Sequence, residues 1–207
     1  MKGLSPHKES NLVVDYMGIP AHFKFAYVIL LSLLSLPAFA YHSNEPCQRE
    51  VPPDLDKILT QQFPSFRLPR LTDHSSDTIS YDRKNGGDGC LSVVTSDFDG
   101  DNNSDVAILL PDNENTTVQL VAALRRENSW AIYYLSTWCK KIAYCYVKKL
   151  EPGLYERTPS IDGPVSNPDE RERIQSITTS IVSGTLESTG VAYVFSGGKW
   201  LHVWVSD

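Results

Sequence analysis

Four aspartates, Asp97, Asp99, Asp101 and Asp105, fall at positions 1, 3, 5 and 9 of the stretch Asp97-Phe98-Asp99-Gly100-Asp101-Asn102-Asn103-Ser104-Asp105. Like charges at this spacing repel one another unless a cation sits among them. Calcium takes six to eight oxygen ligands and tolerates irregular geometry, whereas magnesium prefers a strict octahedron rich in water. Asp97, Asp99 and Asp101 would each offer a carboxylate to calcium. A backbone carbonyl at Asn103 would add an oxygen, Asp105 would close the site, and a water would complete it. Gly100 permits the sharp turn this needs. The stretch is not an EF-hand loop, which wants Gly at position 6 and Glu at position 12; Asn102 and Ile108 stand there.

The loop needs rigid flanks, and both flanks read as strands. Cys90–Ser96 enters it and Val106–Leu110 leaves it. Thr117–Leu124, Trp130–Ser136 and Ile142–Lys148 follow, separated by polar turns. Such spacing of β-branched and aromatic runs predicts an antiparallel meander. Three more strands are expected at Ile174–Val182, Val191–Phe195 and Trp200–Val205, with a hairpin turn at Ser196-Gly197-Gly198-Lys199. Residues 157–173 hold three prolines and read as a long loop. Upstream, Pro52-Pro53-Asp54 opens a helix whose Leu55, Ile58, Leu59 and Phe63 share one face, and Pro64 stops it. Thr78–Tyr81 reads as a short strand. The fold class is therefore mainly β, an antiparallel meander with one short N-terminal helix. Tyr193, Phe195, Trp200 and Trp204 are expected in its core rather than on a binding face.

Residues 1–40 read as a secretory leader. Lys24 precedes the apolar run Phe25–Leu36, and Ala38-Phe39-Ala40 supplies a small-residue cleavage end. The run is too short to span a bilayer. Met17 is an alternative start. Tyr41, not cysteine, follows the cut, so no lipid anchor is expected. Residues 41–207 then form a single domain, expected in the periplasm or outside the cell as a monomer. Cys47, Cys90, Cys139 and Cys145 all lie in it, and an even count in an exported chain implies two disulfides. Of three possible pairings, Cys139–Cys145 with Cys47–Cys90 is favoured: one closes a hairpin end, the other ties the N-terminal segment to the strand entering the acidic loop. The chain carries a net charge of −6, which argues against nucleic acid or anionic lipid as partner. The pairs Arg125-Arg126 and Lys148-Lys149 read as solvated faces.

Asp97-x-Asp99-Gly100-Asp101-x-x-x-Asp105 between strands resembles the calcium loop of FG-GAP and VCBS-type repeats. The resemblance implies propeller-blade-like sheets, Asp97, Asp99, Asp101 and Asp105 as side-chain ligands and Asn103 as a carbonyl ligand. Asn102 departs from the glycine usual there, but asparagine tolerates the left-handed conformation. The chain carries one copy, not the several of a full propeller. The wider layout is similar to small exported bacterial proteins with one such motif: Phe63-Pro64 ending a helix, the strand from Trp130 to Leu135, the turn from Leu150 to Tyr155 and the end from Gly198 to Asp207.

Two functions follow. The leading expectation is a non-catalytic, calcium-stabilised domain that binds a protein or glycan of the envelope or exterior. The alternative is a metal-dependent phosphoesterase, since a strand leading into Asp97-Phe98-Asp99-Gly100 also resembles the first motif of haloacid-dehalogenase-type phosphatases, with Asp97 as nucleophile and Asp99 as acid and base. That family wants Thr where Asp101 stands, and an acidic pair further on, yet the chain has no Asp-Asp. No G-x-S-x-G or H-E-x-x-H occurs either. His74 and His202 are expected at the surface or on an edge strand.

Overall fold

The computed structural model describes residues 45–205, except Trp138, Asp162, Ser166 and Thr189. The expected leader and the alternative start at Met17 lie outside these residues. The domain is mainly β and antiparallel, as the strand pattern implies. Its helical part is larger than expected, with α1 at Pro46–Arg49, α2 at Pro53–Gln62 and α3 at Ser76–Lys84.

One sheet is a four-stranded meander of β1 (Val93–Ser96), β2 (Asp105–Pro111), β3 (Val118–Arg126) and β4 (Ser129–Ser136). A second holds β5 (Cys145–Leu150), β8 (Ser180–Thr185), β9 (Gly190–Ser196) and β10 (Lys199–Val205), in the order β10-β9-β8-β5. A small pair, β6 (Gly153–Glu156) and β7 (Arg173–Ser176), accompanies them.

Alternation along the strands sorts the core into layers. Ala107, Leu109, Leu120, Ala122 and Leu124 of the first sheet meet Val147, Ile181, Val191, Tyr193 and Trp200 of the second. On the far side of the first sheet, Val106, Ile108, Leu110, Val121 and Ala123 pack on Leu55 and Leu59 of α2. Ala192, Val194 and Val203 pack outward on Ile174 of β7. The first sheet is thus covered on both faces. That is why β2 is apolar along Val106–Leu110 instead of alternating, and why all its residues are buried. Tyr193 and Trp200 lie in the core, and Phe195 and Trp204 pack partly buried against it, as expected.

The segment just before β1 bends at Ser92 and belongs to neither sheet. The Ser92 carbonyl accepts from Leu109 N and the Leu91 carbonyl from Val147 N, both at 2.8 Å. Backbone groups spent on two different sheets cannot continue one ladder, so β1 begins at Val93, not Cys90. Both disulfides form in the favoured pairing. Cys47–Cys90 fastens α1 just ahead of this junction.

Four further expectations need correction. Ile142–Tyr144 is a turn of 3-10 helix, so β5 begins at Cys145, not Ile142. Thr78–Tyr81 is helical, within α3. Ser75 caps it, its Oγ accepting from Thr78 N at 3.1 Å, and Arg83 and Lys84 sit in its last turn. These end signals outweigh the β propensity of Thr78, Ile79 and Tyr81. Ile174–Val182 is two strands, because the chain turns at 177–179. Gly153–Glu156, read as part of a turn, is β6 and pairs with β7.

Candidate metal centre

The acidic loop joins β1 to β2, and Phe98 anchors it. This ring is fully buried between the sheets, 6.4 Å from the Trp200 ring in an edge-on contact. The neighbouring Asp97 and Asp99 carboxylates engage polar groups instead, with the Asp99 side chain only 7% exposed. Gly100 has φ +82° and Asn102 φ 66°, so asparagine takes the left-handed conformation expected of it. Thr178, from the turn between β7 and β8, donates its hydroxyl to the Phe98 carbonyl at 3.0 Å. The break in the expected Ile174–Val182 strand thereby gives the loop a contact from beyond the first sheet.

Asp97 folds its carboxylate inside the loop. Its Oδ1 accepts from Gly100 N at 2.7 Å and Asp101 N at 3.1 Å, and its Oδ2 from Asn102 N at 2.9 Å. Asp105 is fully buried where β2 begins. Its two oxygens accept from Phe98 N at 2.8 Å and Arg125 N at 2.7 Å, so one side chain ties the loop, β2 and β3 together. Burial pushes its carboxyl up from an ordinary 3.8 to about 6. The two N–H bonds oppose that rise, and the nearby charges of Asp99 and Asp101 add to it.

Carboxylate oxygens of Asp97, Asp99 and Asp105 lie within 4.8 Å of one another. Asp101 is not in that trio. Its carboxylate accepts from Asn103 N at 2.8 Å, a bond that holds its pKa below the ordinary range. Asn103 is exposed at the loop's tip. Of the expected ligands, three aspartates are brought together, while Asp101 and Asn103 stand beside them.

Arg126 completes the centre and was not legible in the sequence. From the end of β3 its Nη1 donates to Asp99 Oδ2 at 2.7 Å and reaches Asp101 Oδ2 at 3.4 Å. Partial burial alone would lower the guanidinium pKa, but the Asp99 bond and the nearby Asp99, Tyr133 and Asp101 charges together raise it. Arg125 turns elsewhere, pairing with Asp54 of α2 at 2.8 Å and lying 4.7 Å from the Trp130 ring centroid. Neither arginine of this pair is the merely solvated group that its sequence context suggests.

The donor set fits calcium. Oxygens bound at about 2.5 Å on opposite sides of an ion stand roughly 5 Å apart, and the trio lies within that span. His74 is buried, not superficial. Its Nε2 lies 2.8 Å from Ser92 Oγ, and burial lowers its pKa. His202 is on edge strand β10, as expected, and burial lowers its pKa too. Cys47 and Cys90 lie near His74, but their sulfurs are joined to each other. Comparison with protein families, with curated proteins and with solved structures yields no match.

Proposed function

We propose that the chain is an exported, non-catalytic binding domain whose β1–β2 loop takes calcium, in the manner of the FG-GAP and VCBS-type loop it resembles. Asp97, Asp99 and Asp105 would hold the ion, with Asp101 and the Asn103 carbonyl alongside. The observation that carries this reading is the convergence of three carboxylates within 4.8 Å. Calcium would relieve their repulsion and brace β1 against β2. The disulfides suit the periplasm or exterior, and the partner would be a protein or glycan there, bound by the monomer.

Calorimetric titration of the disulfide-bonded protein tests the ion, together with melting in calcium and in chelator. Calcium at a hundred times its dissociation constant adds about 2.7 kcal/mol. For a domain of this size that raises Tm by roughly 5–10 °C. No heat of binding, with equal melting temperatures in both buffers, would remove the assignment.

A further inference from the structure

A groove of about 900 Å³ opens between α3 and the β5–β8 edge of the second sheet. Tyr81, Tyr144, Tyr146 and Lys148 line it. Its floor is built. Tyr146 and Gly184 are cross-strand partners, and a Cβ on Gly184 would stand 2.7 Å from Tyr146 Oη and 2.8 Å from Cζ. The glycine therefore lets the ring lie across β8. The Lys148 ammonium stands 5.3 Å from the centroid of that ring and 5.7 Å from the centroid of Tyr81. Among the described residues no ion pair joins Lys148 or Lys149 to a carboxylate. Tyr81 and Tyr144 are each 55% exposed, high for large aromatic side chains.

We infer that this groove binds a saccharide bearing isolated carboxylates, such as an oligosaccharide with uronic acid at alternate rings. Exposed tyrosine faces offer stacking surfaces to the C–H faces of sugar rings, and the held ammonium offers a counter-charge. Asp77 and Glu187 also line the groove. They accept hydrogen bonds from hydroxyls and repel a dense polyanion, as does the net charge of −6. A nucleic acid, which stacks on tyrosine too, is disfavoured on that ground. The inference gives a ligand class to the binding role proposed above and uses none of the acidic-loop residues.

The test is amide chemical-shift mapping of the disulfide-bonded protein with a hyaluronan tetrasaccharide and with an unsulfated heparosan tetrasaccharide, each with a carboxylate on alternate rings. Maltotriose serves as the neutral control and a short oligothymidylate as the competing class, each in calcium and in chelator. At least one acidic sugar should shift the Tyr81, Tyr144 and Lys148 signals with a dissociation constant near or below about 1 mM. Maltotriose should bind at least about fivefold more weakly, and Lys148→Gln should cost a similar factor. Tyr144→Ala, at an exposed position, should weaken binding with the fold intact, while Tyr134→Ala on β4 should not. Binding should persist in chelator, so failure of the metal assignment leaves it standing. The inference is overturned if neither acidic sugar shifts these signals, if the neutral sugar or the oligothymidylate binds as well, if Lys148→Gln has no effect, or if binding requires calcium.

Discussion

Asp73 and Asp105 are both shielded carboxylates, and their pKa values move in opposite directions. Burial alone would raise Asp73. However, the Arg67 fork holds both its oxygens, at 2.7 and 2.8 Å, and Arg70 N donates to it at 2.7 Å. Together these bring its pKa below the ordinary 3.8. Asp105 has two backbone N–H donors but no guanidinium, and it shares its loop with like charges, so it rises to about 6. At Asp105 the two amide donors favour the ionised form, but burial and the neighbouring aspartates outweigh them. The Asp73 corner is electrically complete within the chain. The acidic loop sets Arg126 against several aspartates, which is the condition in which an added cation gains most.

Removing each anchor measures this contrast. Asp105→Ala should cost most, about 3 kcal/mol, because it strips the acceptors from Phe98 N and Arg125 N. Denaturant unfolding should show the loss in chelator as well as in calcium. A loss seen only in calcium would mean that Asp105 serves the ion and not the fold. Arg67→Met should cost about 2 kcal/mol, since it leaves Asp73 shielded and unpaired, and calcium should not restore it.

Arg126→Met should be milder, about 1 kcal/mol in chelator, because the pair is partly solvated. It should also tighten calcium binding about fivefold by releasing Asp99 and removing a positive charge. Unchanged or weaker binding would show that the guanidinium does not compete with the ion. The smallest effect is a titration. Asp105 has a raised folded pKa, so its contribution to stability is full below about pH 3.8 and is lost as pH rises through about 6. Asp73 runs the other way: its contribution stands above about pH 3.8 and is lost as pH falls through its lowered value. Carboxyl-carbon NMR in chelator should place the Asp105 midpoint near 6, and saturating calcium should move it below about 4. A midpoint near 4 in chelator would erase the contrast.

Much of the fold was legible because it is local. The apolar run Val106–Leu110 and the turn glycines, Gly197 at φ 60° and Gly198 at φ 81°, announce strands and a hairpin wherever they sit. Helix α3 was missed because Thr78, Ile79 and Tyr81 favour strands one by one, while the evidence for a helix lay at its ends, in Ser75 and in Arg83 and Lys84. The aspartates of the loop are near neighbours in sequence, so their spacing alone displays them. Arg126 reaches Asp99 from 27 residues away, and only the pairing of β2 with β3 brings it there. The tyrosine groove gathers residues from α3, β5, β8 and the turn after β8, so no single stretch reveals it.

Strand β2 has a consequence for how the chain reaches its native state. Covered on both sides once folded, Val106–Leu110 is beforehand an uncharged, wholly apolar ribbon able to pair with the same ribbon of another molecule. Asp105 stands at one end, and Pro111 followed by Asp112 at the other. A charge and a residue without an amide proton are what halt a growing cross-β stack. The aspartate that would close the metal site thus also stands where a gatekeeper against self-association would stand while the sheets assemble.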